Sequence, residues 1–147
     1  MQSLCCATVC TTDRKLQHLV ECLVVETVAL STPLDCRDSL VECRVFFTAY
    51  EMREMKEGLR FALHCSLWGE DLGTWLNPDD FLFSYPSRFF PDATPSNPET
   101  VTFEATLGLS LLDEDWGTDE VYGLLTLKNL YTGNKVKAKT NVVKRKF

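Results

Sequence analysis

Histidine is scarce in this chain, and recognisable catalytic motifs are missing. Only His18 and His64 occur among the 147 residues, and no nucleophile elbow, phosphate loop or dinucleotide-binding pattern is present. His64 and Cys65 are neighbours on a predicted strand, so their side chains point to opposite faces and cannot form a catalytic pair. The cysteines match no common zinc-binding spacing. We therefore predict a protein that is not an enzyme and that uses neither a metal nor a cofactor.

Long apolar runs and a secretory leader are also lacking. No stretch approaches the roughly 18 apolar residues that cross a bilayer, and the first ten residues have neither the basic nor the long apolar part of a signal peptide. Seven cysteines, an odd number at uneven spacing, favour thiols in a reducing compartment over a disulfide framework. We expect a cytoplasmic protein without a transmembrane segment.

Composition and charge limit the function further. A hydrophobic content of 45% with 11% aromatic residues is enough for one core, so residues 1–147 are predicted to form a single domain. The net charge is −6, and the last thirteen residues hold six basic residues and no acid, which leaves −12 on residues 1–134. A body this acidic disfavours nucleic-acid binding over a broad face. The basic tail is best explained as the solvated face of a strand; an acidic partner, anionic lipid or its own domain are the alternatives.

Period-two alternation of apolar and polar residues is the dominant pattern. It predicts strands over Leu40–Tyr50, Leu59–Trp68 and Val101–Leu111, and a C-terminal hairpin of Val121–Leu130 and Lys135–Val143. A helical turn around Asp13–Val20, followed by a strand to about Leu30, is predicted near the N-terminus. The apolar faces read Val41, Cys43, Val45, Phe47, Ala49; then Leu59, Phe61, Leu63, Cys65, Leu67; then Val101, Phe103, Ala105, Leu107, Leu109, Leu111. These elements predict an all-β fold, an antiparallel immunoglobulin-like β-sandwich with a short N-terminal helical turn.

Two loops carry the candidate binding residues. The first runs from Trp68 to Asp80 and the second from Ser84 to Pro98; both contain aromatic residues, which either form a binding surface or cap the end of the sandwich. The acids of the first loop and of residues 113–120 could bind Ca²⁺, although ordinary solvated turns explain them better. The candidate partner-binding residues are Trp68, Glu70, Asp71, Trp75, Asp79, Asp80, Tyr85, Phe89 and Phe90.

One part of the chain resembles the Rho GDP-dissociation inhibitor family. The segment from Val41 to Arg53-Glu54, followed by Gly58-Leu59-Arg60-Phe61 and His64, is similar to two paired strands of that family joined by an R-E-x-x-x-G turn. Leu112–Asp115 and Leu124–Lys128 resemble its acidic loop and final strand. The resemblance implies an immunoglobulin-like sandwich with a prenyl pocket between its sheets and a small lipidated GTPase as partner. Tyr122 and Gly123 depart from it, because they stand where the family carries pocket aromatics.

These observations lead to one functional hypothesis and two alternatives. The chain is interpreted as a non-catalytic intracellular regulator or adaptor that acts through protein–protein contacts, with a small GTPase as one candidate partner. A carbohydrate- or ligand-binding module that uses Trp68 and Trp75 is the first alternative, since the segment from Gly123 to Lys139 is similar to a strand pair in glycogen-targeting modules. A viral accessory protein that binds a host factor is the second. The sequence leaves the oligomeric state open.

Overall fold

The computed structural model describes residues 19–23, 36–70, 79–112 and 119–145. Within these ranges the chain is mostly antiparallel β-sheet with two short helices, as the all-β prediction requires. In chain order the elements are β1 (Leu19–Leu23), β2 (Cys36–Phe46), α1 (Ala49–Lys56), β3 (Phe61–Gly69), β4 (Asp80–Ser84), β5 (Arg88–Phe90), β6 (Glu99–Gly108), α2 (Leu109–Leu112), β7 (Asp119–Asn129), β8 (Lys135–Lys139) and β9 (Val143–Arg145). No helix in the described ranges is both long and apolar enough to cross a membrane.

The strands form two sheets. The smaller sheet has the order β1-β2-β6, and every pairing in it is antiparallel. In the larger sheet β3 and β7 lie at the centre and pair over nine residues, from Phe61–Asn129 to Gly69–Val121. Strands β4 and β5 pair with successive parts of β3, while β8 and β9 pair with successive parts of β7. The larger sheet is therefore about four strands wide.

The predicted apolar faces of β2, β3 and β6 meet in one core. Its largest fully buried side chains are Phe61, Phe103, Leu63, Leu125, Val45, Cys43 and Cys65. Contacts between the sheets include the Tyr85 and Phe103 rings, whose centroids are 5.7 Å apart. Cys43 and Cys65 are buried thiols, as predicted for small apolar side chains on these faces. Burial of these faces is the main stabilising contribution to the fold.

Helix α1 was missed, because alternation alone predicted a strand through to Tyr50. Strand β2 ends at Phe46, and Thr48 starts the helix with a capping box. The Thr48 hydroxyl accepts a hydrogen bond from the Glu51 amide at 3.2 Å, and the Glu51 carboxylate accepts one from the Thr48 amide at 2.9 Å. The helix carries the chain from the small sheet to the large one. The flanking strands β2 and β3 therefore do not pair with each other, unlike the paired strands that the resemblance implies for these segments.

Other predicted boundaries also change. Trp68, predicted both as the last residue of a strand and as the first of a loop, belongs to β3; the predicted loop Ser84–Pro98 contains β5, and Leu109–Leu112 form α2 rather than the end of a strand. Leu19 and Val20 lie in β1 and not in a helical turn, while the rest of that turn, residues 13–18, falls outside the described residues.

The C-terminal hairpin is confirmed, with one change in its second arm. Gly133 adopts a positive φ of 76° in the turn, a conformation that favours glycine. Instead of continuing to Val143, β8 ends at Lys139, and Thr140 turns its hydroxyl to accept a hydrogen bond from the Gly123 amide at 2.7 Å. A Cβ on residue 123 would lie 3.0 Å from the Thr140 methyl group and 3.6 Å from Val41. A side chain at this position would require Thr140 to shift by a few tenths of an ångström.

Candidate interaction surface

Some of the predicted binding residues lie close together, on the outer face of the large sheet. Trp68 is directly opposite Phe81 of β4 on one side and Tyr122 of β7 on the other. Because neighbouring residues of a strand point to opposite faces, the burial of Leu67 in the core places Trp68 on the outer face. The strand register therefore places Phe81, Trp68 and Tyr122 side by side across the sheet. These three side chains are called the aromatic row.

Two of these side chains are held in fixed geometry. The Trp68 and Phe81 rings meet edge to face, with centroids 5.5 Å apart and planes at 77°. The Trp68 indole N–H donates a hydrogen bond to the Ser66 hydroxyl at 2.9 Å. Phe81 remains 56% exposed although it packs against Trp68. The surface therefore presents a phenyl ring that is both accessible and ordered by its neighbour.

The third aromatic side chain, Tyr122, stands at the centre of a polar network. Its hydroxyl donates to an Asp79 carboxylate oxygen at 2.7 Å, and the Lys139 ammonium lies 3.7 Å from its ring centroid. Lys139 also pairs with Glu70. Tyr122 is only 8% exposed, and burial first, then the hydrogen bond and charge of Asp79, raises the pKa of its hydroxyl. The phenol consequently stays protonated and holds Asp79 in place.

The acidic side chains of this region differ in whether neighbouring side chains already bind them. Glu70 and Asp79 are engaged by Lys139 and Tyr122, whereas the side chain of the neighbouring Asp80 is exposed and forms no hydrogen bond or ion pair with the described residues. No group of three or more histidine, cysteine or acidic side chains suited to a metal ion occurs within the described ranges. Asp71, Trp75 and the acids at 113–118 lie outside those ranges. Asp80 is the neighbour of Phe81 on β4 and shares a row with Gly69 and Val121, so it points away from the Phe81 face; Asp79 is the acid that lies on that face with Tyr122.

The remaining predicted residues lie elsewhere. Tyr85 and Phe90 are buried, with Phe90 packed against Phe47 at a centroid distance of 5.5 Å and Tyr85 against Phe83 and Phe103. These two follow the alternative in which loop aromatics complete the core. Phe89 is exposed but is paired with Ala62, six residues along β3 from Trp68, a separation of about 20 Å. It therefore belongs to a different part of the same face.

Sequence reasoning missed Phe81, Tyr122 and Lys139. Phe81 immediately follows Asp80, the last residue of the predicted loop, and β4 reads Asp-Phe-Leu-Phe-Ser, in which three consecutive apolar residues do not alternate with polar ones. A short apolar run between two predicted loops is consistent with a strand and was a usable signal. Tyr122 reaches Trp68 only through the pairing of β3 with β7, segments more than fifty residues apart, and Lys139 joins them through the β7–β8 hairpin. Such pairing cannot be read from local pattern.

A cleft of about 570 Å³ opens at another edge of the molecule, between β5 and the start of β6. Its lining includes Arg88, Phe89, Asp92, Glu99, Thr100 and Thr102. The Arg88 guanidinium donates to the Thr102 carbonyl at 3.4 Å across this gap. The lining is largely polar and charged, unlike the apolar wall that a lipid chain requires.

Comparison with known protein families, curated proteins and solved structures finds no match to this chain.

Proposed function

We propose that this chain is a non-catalytic protein-binding domain whose partner docks on the Trp68–Phe81 end of the large sheet. The observation that carries this proposal is the exposed Phe81 ring, ordered by its edge-to-face contact with Trp68. An aromatic side chain already fixed in one position loses little conformational freedom on binding, and it buries a large apolar area. Aromatic side chains of this kind are enriched among the residues that dominate interface energetics.

The charge beside Phe81 favours a basic partner surface. Asp79, whose carboxylate accepts the hydrogen bond from Tyr122, lies on the same face as Phe81. Acidic groups at the rim of an apolar contact steer a basic partner and set its orientation more than they add affinity. The association rate should therefore fall as salt increases.

The immunoglobulin-like arrangement is part of the proposal. If β1, β2, β3, β6, β7 and β8 correspond to strands A, B, C, E, F and G, the small sheet has the order A-B-E, and β3, β7 and β8 have the order C-F-G. These are the orders of the immunoglobulin sandwich, with β4 and β5 added beside strand C as in its variable type. The single core that both sheets share supports the same arrangement.

A prenyl pocket, the other implication of the resemblance to Rho GDP-dissociation inhibitors, is less well supported. Where that family carries pocket aromatics, this chain has Gly123, and the side chains of Thr140 and Val41 lie against it. Two methyl groups and a hydroxyl thus fill the space beside Gly123 and leave no room for a lipid chain at that position. A small GTPase therefore remains a candidate partner through surface contacts rather than through its lipid.

Capture of partners by matched aromatic variants tests the proposal. The unsubstituted 147-residue chain, Phe81→Ala and Tyr50→Ala are immobilised in parallel, and proteins bound from cell lysate are quantified by mass spectrometry. Tyr50 is the control because it is also an exposed aromatic residue but lies on α1. We expect Phe81→Ala to lose specific partners by about 30-fold, corresponding to about 2 kcal/mol at a dominant interface residue, while Tyr50→Ala keeps them.

Three outcomes would contradict this docking site. Equal recovery with all three proteins would show that Phe81 takes no part. Displacement of the partner by a farnesylated peptide, without any effect of Phe81→Ala or salt, would favour the lipid pocket. Retention of the chain on glycogen that depends on Trp68 would favour the carbohydrate-binding alternative.

A further inference from the structure

The end of the large sheet opposite the aromatic row carries an uncompensated positive charge. Lys128 of β7 lies directly opposite Lys135 of β8, and Lys137 follows two residues later on the same face. We define these three lysines as the basic patch. Their outward direction follows from burial of the intervening side chains: Leu127 and Ala138 are buried in the core.

Other lysines on this face are neutralised, whereas those of the basic patch are not. Lys139 pairs with Glu70, and Lys144 pairs with Glu120. None of the basic patch lysines forms an ion pair with a carboxylate of the described residues. The chain as a whole has six more acidic than basic residues, so the lack of acids here reflects their placement and not their number.

The facing pair Lys128–Lys135 is unfavourable by itself. Like charges directly opposite on paired strands destabilise a sheet. Lysines on an edge strand can serve to prevent pairing with other chains, which would account for Lys135 and Lys137 on β8. Lys128 is different, because β7 is paired with β3 on one side and β8 on the other. Edge protection therefore does not explain why a lysine occupies position 128.

Exposed apolar side chains surround the basic patch. Phe89 is in the same cross-strand row as Lys128, with Ala62 between them, so their Cα atoms are about 10 Å apart. Phe89 is 59% exposed, and Leu130 and Tyr131, which follow β7, are 45% and 88% exposed. Three of the five large hydrophobic side chains that are exposed among the described residues thus lie at this end of the sheet.

We propose that the basic patch and Phe89 form a second interaction surface, which binds an acidic segment of a partner protein. Carboxylates of the segment would lie over Lys128, Lys135 and Lys137, and an apolar side chain of the same segment would contact Phe89. The opposite charge relieves the repulsion between the facing lysines. This surface is independent of the Phe81 docking site, since the two are separated along β3 and differ in the sign of their charge.

An acidic protein segment fits this surface better than a nucleic acid or a membrane does. The three lysines span two adjacent strands and three residues along β8, a distance of about 8 Å. An extended phosphate backbone or a lipid surface would also meet the acidic remainder of the molecule and be repelled. A short segment can engage the patch alone.

Fluorescence anisotropy with a defined peptide tests the second surface. The probe is a fluorescein-labelled octapeptide of glutamate and aspartate with one central phenylalanine, titrated with the 147-residue chain at low salt and at physiological salt. Lys135→Gln/Lys137→Gln should weaken binding by about tenfold or more, and raising the salt should weaken the parent's binding. The control, Arg53→Gln/Lys56→Gln on α1, removes the same charge from another surface and should leave affinity within about twofold.

A second variant separates binding from folding. Lys128→Glu places an acid opposite Lys135, so it should raise the melting temperature while it weakens peptide binding. Failure of the parent to bind the peptide at low salt would overturn the proposal, as would equal weakening by the α1 control. Tighter binding of a single-stranded oligonucleotide or of phosphatidylserine vesicles of matched charge would also overturn it.

Discussion

At the residue scale, Tyr85 connects the two sheets through a buried polar contact. Its hydroxyl is 2.6 Å from the Ser39 hydroxyl of β2, and its ring packs between Phe83 and Phe103. Burial raises the pKa of Tyr85 to about 12 from 10.0, although the hydrogen bond with Ser39 acts in the opposite direction. The sequence suggested a loop aromatic residue at this position. Its burial depends on a partner 46 residues away, which local pattern does not reveal.

The raised pKa of Tyr85 predicts a loss of stability at high pH. The folded state holds the phenol proton more tightly than the unfolded chain, so this contribution is complete below about pH 10 and is lost as the pH rises toward 12. The free energy of unfolding should fall by about 2–3 kcal/mol from this group alone. Urea unfolding at pH 9, 10, 11 and 12 measures the decline.

Two tyrosine-to-phenylalanine variants isolate this effect. Tyr85→Phe should start from a lower stability at pH 9, since the Ser39 hydroxyl loses its partner, but should decline less steeply than the parent. Tyr131→Phe removes a hydroxyl from an exposed ring and should keep the parent's decline. Parallel curves for the parent and Tyr85→Phe would mean that the buried phenol does not contribute.

At the scale of elements, the alternation of apolar and polar residues predicted the strands that have one buried face. It failed to predict the positions at which the buried face ends. Val41, Cys43, Val45 and Phe47 are all in the core as expected. The pattern continued through Ala49, although the chain there turns into α1. Thr48 followed three residues later by Glu51 is a capping-box signature that could have marked the helix start. Alternation also gives no information about which strands pair, so the separation of β2 and β3 into different sheets could not be predicted from it.

The capping box of α1 gives a testable contribution to stability. Thr48→Ala removes the hydroxyl that accepts from the Glu51 amide, so the free energy of unfolding should fall by about 1 kcal/mol. Chemical denaturation monitored by circular dichroism is a suitable measurement. Thr94→Ala, in the exposed loop before β6, is the matched control and should change stability by less than about 0.5 kcal/mol. Equal effects of the two substitutions would argue against the cap.

At the scale of the whole molecule, charge is divided between the two ends of one sheet face. The Phe81 end carries the acids Asp79 and Glu70, while the other end carries the basic patch and Phe89. From the sequence we assigned the lysines of the C-terminal arm to a solvated edge strand, and β8 is indeed at the edge of the sheet. The position of Lys128 beside them depends on the register of β7 with β8. This register brings Lys128 next to Lys135 and Lys137, so that the three lysines form the basic patch.

The two sheets share one core, so replacing a buried phenylalanine should lower the free energy of unfolding far more than replacing an exposed one. Phe103 is 2% exposed and contacts Tyr85 across the sheets, whereas Phe89 lies on the outer face. Phe103→Ala should lower the free energy of unfolding by about 3–5 kcal/mol, because it removes buried surface and leaves a cavity between the sheets. Phe89→Ala, the same substitution at the surface, should change it by less than about 0.5 kcal/mol. Urea unfolding followed by far-ultraviolet circular dichroism and by tryptophan fluorescence measures both.

The comparison of the two probes also tests whether the chain is a single folding unit. Val45 and Phe103 of the small sheet belong to the same hydrophobic cluster as Leu63 and Leu125 of the large sheet. The sheets should therefore unfold together, and the two probes should give coincident transitions for the parent and for Phe89→Ala. Separate transitions would mean that each sheet is stable alone. Equal losses for Phe103→Ala and Phe89→Ala would instead mean that the buried and exposed faces have been assigned to the wrong sides.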